Sequence, residues 1–466
     1  MEYKNIAFIH PLNRQLNPFQ KEEGQISECQ NVTSKVIGSI SKNGDYSQVG
    51  GQVTVGMDIL AMGEFIRGGS SGGTVTPFIL VDDVSNADIY QLVTTTWTAQ
   101  SQSQAISTRG SFASIPELDA FFFANKSNTT ISYNGTAWST TTNVTSAPKG
   151  AYLNSFNTRL YIGDCVVSGV SYPCRAYYST SGFDGSLEWE TTSYLVFPEP
   201  VVGFAIQGED QLVFTRNHVY RADNTKQKPI SNKGAESQDT IASDGDWTFF
   251  ANQNGIWATD GAGVQKVSTP VDEYFEGMAD STVMRMAAND DHCYLYMGTV
   301  TLDGKELPRV MLDYDYGATK FDRLQIGTEV SRMATLEVDG VKSVYFGNNN
   351  GEIFKLLDGD SQDGEDYASF FETEYIVVSP DANLSGFYTV DVWGKNMAGV
   401  KVSYKAENDT RFYEAGDLHG DKDSVQFKTK GERIKLLFSH SGQGSKWRID
   451  RYRIGFEPDE ELQRDE

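Results

Sequence analysis

The densest chemistry in the chain is "LDGDSQDGED", residues 357–366, with five carboxylates in ten residues. Asp358, Asp360, Asp363, Glu365 and Asp366 are hard oxygen donors of the kind calcium takes. The order departs from a calcium-binding helix–loop–helix pattern, because Gln362 occupies the third ligand position and the turn glycine is displaced. A solvated linker is therefore the preferred reading, with Asp358, Asp360 and Asp363 as the residues a metal site would use. The five histidines, His10, His218, His292, His419 and His440, form no HExxH motif, no i,i+4 pair and no neighbour to an elbow serine. No phosphate-cradling GxxxxGK[ST] or GxGxxG occurs either. "RGGSSGGT", from Arg67 to Thr74, lacks the following helix and lysine of a phosphate loop, and reads as a flexible joint. The expectation is a protein with no catalytic constellation, no cofactor and no resident metal.

Two further patterns belong to structure rather than catalysis. "STSGFDGSLEW", Ser179 to Trp189, resembles a degenerate form of the Asp-box hairpin of sialidase-like propellers, a structural turn. The sequons at Asn125, Asn128, Asn134 and Asn143 lie in a Thr- and Asn-rich stretch, and no signal peptide is visible at the N-terminus, so chance explains them better than glycosylation. Four cysteines without a CxxC pair disfavour a zinc site, and a disulfide-stapled secreted protein would use more of them. Cys165 and Cys174 could meet across a hairpin, but free buried thiols are the simpler reading.

The elements that would carry such turns are strands. Tyr and Phe are abundant, long Ala/Leu/Glu/Lys stretches are missing, and no apolar run is long enough for a transmembrane helix. "FFANQNGIWATDG", Phe249 to Gly261, is an aromatic strand, a polar turn and a short return strand. The shape recurs. Its relatives centre on Phe121-Phe122-Phe123, Leu160-Tyr161-Ile162, Leu212-Val213-Phe214, Tyr294-Leu295-Tyr296 and Val344-Tyr345-Phe346. These six units stand roughly 35 to 53 residues apart, the length of a four-stranded propeller blade. A six-bladed β-propeller over residues 81–360 is the expectation, with a two-sheet sandwich carrying six hairpins as the alternative. "KVSTPVDEYFEGM" predicts one short helix between blades, capped at Ser268 or Thr269, with Tyr274 and Phe275 facing inward.

From residue 366 to 457 the pattern becomes strictly alternating. Tyr388, Val390 and Val392 share one face of a strand, as do Val400, Val402 and Tyr404 of the next. These six are the predicted packing residues of an antiparallel β-sandwich or platform. Residues 1–80 read as short strands and a hinge that join this platform, and residues 458–466 as an acidic mobile tail. The net charge is −24, which disfavours binding to nucleic acid or an anionic membrane. It is unevenly spread. Residues 391–456 hold 13 Lys/Arg against nine Asp/Glu.

The layout resembles the tail nozzle, or hub, proteins of short-tailed bacteriophages. The similarity rests on "EEGQISECQNV" near the start, the hairpin "WTFFANQNGIWATDG", and the order from Val267 to Gly327: the helix "STPVDEYFEG", then "MRMAANDDHCYLYMG", then "PRVMLDYDYGATKFDRLQIG". "VYFGNNNGEIFKLL", the acidic linker and the alternating sheet follow in the same order. The chain departs from the usual pattern at Phe321, where a tryptophan commonly closes the Tyr-Asp strand loop. The resemblance implies a virion structural protein, a homo-oligomeric ring, expected to be a hexamer, beneath portal and adaptor. Its implied partners are the adaptor, tail fibres or spikes, and DNA that passes without sequence-specific binding; no membrane insertion is implied. A glycan-binding or sialidase-like propeller acting in receptor recognition is the alternative from a different class, and a propeller scaffold in a cellular assembly is a third.

Overall fold

The computed structural model describes residues 1–6, 10–12, 25–34, 39–68, 73–83, 85–182, 185–378, 384–442 and 446–458. Seven four-stranded antiparallel sheets follow one another along the chain. Blade 1 covers 59–99, blade 2 111–139, blade 3 149–196, blade 4 201–231, blade 5 241–266, blade 6 285–325 and blade 7 332–356. The first strand of each blade touches the first strand of the next, and Arg332–Val338 of blade 7 returns to Ile59–Arg67 of blade 1. The ring is closed. Its fourth strand in blade 7 comes from the other end of the chain: Tyr46–Gln48 pairs with Ile353–Leu356. Tyr46 locks this closure edge-on against Phe346 and Phe354, with ring centroids 5.2 and 5.1 Å away.

The propeller therefore has seven blades rather than the six expected. The six apolar triplets are the second strands of blades 2 to 7, and the physical reason for their signal is burial on both faces. Phe121 and Phe123 pack toward blade 1 with Phe65 and Phe78, while Phe122 between them packs toward blade 3 with Leu160 and Ile162. Leu212 and Phe214 face Phe250 of blade 5, and Val213 faces Tyr161 of blade 3. Blade 1 carries the same signature in Phe78-Ile79-Leu80-Val81, and its return strand Ala87–Val93 holds Tyr90, but Asp82 and Asp83 lead into that strand. The glycine-rich segment before it is no joint between domains: Ile59–Arg67 and Thr74–Asp82 pair antiparallel, so it lies at a hairpin connection within blade 1. Residues 69–72 lie outside the described ones.

The platform is a two-sheet sandwich that takes strands from both ends of the chain. One sheet orders Lys422–Gly431, Ser385–Lys395, Arg448–Pro458, Ile40–Lys42 and Val32–Thr33, with Glu2–Ile6 also paired to Arg448–Pro458. The other runs from His10–Leu12 and Gln25–Gln30 through Ser369–Thr373, Arg433–His440 and Lys401–Ala406 to Tyr413–Asp417. The N-terminal strands do join the platform, but only as far as Lys42; beyond it the chain belongs to the propeller. Of the expected acidic tail, 458–466, Pro458 ends the last strand and 459–466 lie outside the described residues.

Platform and propeller are welded along Lys320–Gln325, the outer strand of blade 6. The Asn31 N–H donates to the Arg323 carbonyl at 2.9 Å, and the Gln325 N–H to Asn31 Oδ1 at 2.7 Å. Arg323, itself buried, donates from Nε to the Cys29 carbonyl at 2.7 Å. The expected helix forms at Asp272–Glu276 behind a Pro270 turn, and Tyr274 and Phe275 are buried in the core shared by blades 5 and 6 and the platform.

Beneath this weld sit two buried carboxylates paired across strands, Asp313 and Asp322. His292 Nδ1 is 2.6 Å from Asp313 Oδ1, and the Ser34 N–H reaches Asp322 Oδ2 at 3.4 Å. Burial, and then the charge of Asp313, push the Asp322 carboxyl up to about 7. The folded state therefore holds a proton that the unfolded chain releases near 3.8. Stability from this group is full below that value and is lost as the pH rises through the folded value. Urea unfolding at pH 5 and pH 8 should show this loss in the parent and a smaller one in Asp322→Asn; equal losses would show that Asp322 holds no such proton.

Candidate functional site: the outer face of the platform

One sheet of the platform turns its inner face to the core through Phe387, Val390, Val392, Ile449 and Ile454. Its outer face is chemically different. Lys422 and Arg451 flank Trp393 as direct cross-strand neighbours. Their cations lie 5.7 and 4.6 Å from its ring centre. In the next row Arg453 donates from Nε to Asp391 Oδ2 at 2.6 Å. Its guanidinium also stacks on Tyr3 at 4.1 Å. Tyr3 can lie there because Gly455 opposite it has no side chain; a Cβ would come within 3.1 Å of the ring. Lys428 and Lys430 extend the row along the exposed edge strand.

The outer face thus joins five cations, Lys422, Lys428, Lys430, Arg451 and Arg453, to two aromatic rings, and Asp391 pairs with Arg453. Guanidinium and ammonium groups over aromatic faces are held in place while their outward edges stay solvated. On a chain with a net charge of −24, such a face is an electrostatic exception. It is suited to an acidic protein surface, where complementary potentials set orientation and encounter rate.

The predicted packing residues divide. Val390, Val392, Val400 and Val402 are fully buried in the platform core. Tyr404 joins it at the rim, stacked on Phe427 with centroids 4.4 Å apart. Tyr388 does not join it. A bulge between Phe387 and Thr389 gives the inward place to Phe387, and the half-buried Tyr388 folds back over Gly386, its hydroxyl 2.6 Å from where a Cβ there would lie. Strict alternation could not reveal one extra residue.

The acidic linker holds no metal-competent group of three ligands among the described residues. Asp358 accepts from the Ser47 hydroxyl and pairs with Lys355 at 3.4 Å, and these contacts hold its carboxyl below the usual range. Asp360 and Asp363 are exposed. The segment is stitched down rather than loose: the Asp363 N–H donates to the Tyr46 carbonyl at 2.9 Å, and Gln362 Nε2 donates to the Gly44 and Gln325 carbonyls. All four cysteines are free; Cys165 lies opposite Tyr172, out of register with Cys174. The sequon asparagines build turns, with Asn125 buried and Asn134 Oδ1 accepting from the Thr136 and Ala137 N–H groups. The Asp-box-like turn includes residues 183 and 184, outside the described ones.

Fold and surface together define a seven-bladed β-propeller with a sandwich platform. No family model matches the chain, and no curated protein does. Among solved structures it is similar to YCF48 from Cyanidioschyzon merolae, at 12% identity and a TM-score of 0.40 over 67% of this chain and 98% of that one. It is also similar to BBS1N in complex with ARL6DN, at 11% identity and a TM-score of 0.42 over 68% and 98%.

The face assignments predict distinct mutational outcomes. Phe387→Asp or Val402→Asp puts an unpaired charge in the platform core and should cost several kcal/mol, releasing the platform to limited proteolysis. Tyr388→Asp should be tolerated with little change in melting temperature. Equal sensitivity at Tyr388 and Val402 would refute the bulge-based assignment.

Proposed function

We propose that the chain is a virion structural protein, the tail nozzle of a short-tailed bacteriophage, which assembles as a homo-oligomeric ring, expected to be a hexamer, at the end of the DNA ejection channel. The observation that carries this reading is the cationic, aromatic outer face of the platform on an otherwise acidic chain. A basic platform on one subunit and an acidic surface on the next make a head-to-tail contact, the kind that closes into rings. The order of helix, hairpins, linker and alternating sheet, which resembles the nozzle family, supports it further. Adaptor, fibres or spikes are the partners this reading implies, and DNA moves through the lumen between subunits. The acidic bulk of each subunit suits a wall to which DNA does not adhere.

Light scattering with negative-stain imaging, alone and with the cognate adaptor, tests it. A ring is expected, and it should weaken at high salt because its contacts are screened over about 8–10 Å. Lys428→Glu combined with Arg451→Glu should leave a folded monomer. A chain that stays monomeric with the adaptor, or a ring that ignores both charge reversals, would refute this assembly.

A second reading, a glycan-binding propeller, has its own observation. A polar cleft of about 280 Å³ between blades 4 and 5 is lined by Arg216, Asn217, Asn232, Asn252 and Asn254, the amide-rich lining that sugar hydroxyls suit. Binding on a glycan array that Asn252→Ala abolishes would favour this reading over the nozzle.

A further inference from the structure

Four charged side chains from four separate blades meet at one mouth of the propeller axis. Arg109 precedes the first strand of blade 2, and Asp239 that of blade 5; Arg285 and Arg332 open blades 6 and 7. Arg109 and Asp239 come from blades three places apart in a ring of seven, so their ion pair spans the axis. Arg332 also pairs with Asp239, and Arg285 Nε lies 3.6 Å from it. The cluster is built, not incidental. Gln238 clamps the turn that carries Asp239, accepting from the Phe204 N–H at 2.8 Å and donating to the Phe204 carbonyl at 3.1 Å. Gly203 makes this possible, since a Cβ there would lie 2.7 Å from Gln238 Oε1. Arg285 is held by the Ser331, Thr282 and Met284 carbonyls, each at 2.7 Å.

Among the buried groups three guanidiniums face one carboxylate, an excess of two positive charges that only exposed carboxylates at the rim offset. The Arg285 and Arg332 side chains are only 8% and 11% exposed. The next carboxylates are exposed ones on the rim: Asp58, whose charge reaches Arg109 and Arg285, and Asp280, whose charge reaches Arg285. Tyr152 of blade 3 and Tyr296 of blade 6 are the phenols that face Arg332 and Arg285. Arg332 Nε is buried without a hydrogen-bond partner. Burial, and then the charge of Arg109, lower Arg285 and Arg332 to about 9. Buried donors in excess of acceptors, and cations in excess of anions, are two independent signs of a missing oxyanion.

We propose that this mouth is a binding site for a phosphate-class dianion, held by Arg109, Arg285 and Arg332 around the axis. A dianion balances the two excess charges, and guanidinium forks match its tetrahedral oxygens. A free phosphate ion and the terminal phosphate of a larger molecule share this chemistry. The site is independent of ring assembly.

Calorimetric titration of the full chain with inorganic phosphate, at ionic strength matched with chloride, tests it. One phosphate per chain is expected, with affinity falling about tenfold or more in Arg332→Gln. Because Arg332 is buried and its loss can impair folding, Arg109→Gln, whose side chain is 43% exposed, serves as the second variant. Glycerol phosphate as a parallel ligand separates the sources: binding of both assigns the site to terminal phosphates, and binding of phosphate alone assigns it to the free ion. No heat beyond the chloride control, or equal binding by parent and both variants, would overturn the proposal.

Discussion

Everything in this molecule depends on closing a ring of sheets. A four-stranded blade has two apolar faces, and each is dry only while a neighbour covers it. Seven blades satisfy this only if the last meets the first, and the junction is made by the pairing of Tyr46–Gln48 with Ile353–Leu356. That one requirement draws the N-terminal segment across the fold. The strands before it have already been used in the platform, so the platform must lie beside blades 6 and 7. The weld at Arg323 and Asn31 is where the chain makes that crossing, and the acidic linker follows the same path back.

The sequence revealed what burial imposes locally. Phe121 to Phe123 and Phe249-Phe250 stood out because a strand covered on both faces has no polar alternation to hide it. Val390, Val392, Val400 and Val402 stood out for the opposite reason, with one wet face and one dry. Blade 1 escaped notice because its second strand, Phe78 to Val81, returns through an acidic turn instead of an Asn/Gly one. Tyr388 was misassigned because a bulge changes parity without changing composition. The meaning of that bulge is set by a partner strand far away in sequence, Arg448–Pro458.

The two surface features were hidden for a different reason. The platform's cations and rings lie on four strands and meet only through cross-strand register, as with Lys422, Trp393 and Arg451. The axial cluster draws on positions 109, 239, 285 and 332, which no spacing rule links. A trace of it did exist. Arg285-Met286-Ala287 and Arg332-Met333-Ala334 repeat one tripeptide at equivalent places in neighbouring blades. A repeated charged residue at the head of an inner strand points at the axis, because that is where all seven heads converge.

The interleaving of both chain ends also bears on the order of events in the cell. Glu2–Ile6 can find its partner only when Arg448–Pro458 has been made, and blade 7 can be sealed only by a strand synthesised hundreds of residues earlier. Such long-range pairings form late and slowly. Glu2–Ile6 therefore stays without its partner strand until Arg448–Pro458 is available. The outer platform face needs Tyr3, Trp393 and Arg451 together, so a chain stopped short never displays it. The topology thus makes the outer face a product of both halves of the fold, present only once the strands that carry Tyr3, Trp393 and Arg451 are paired.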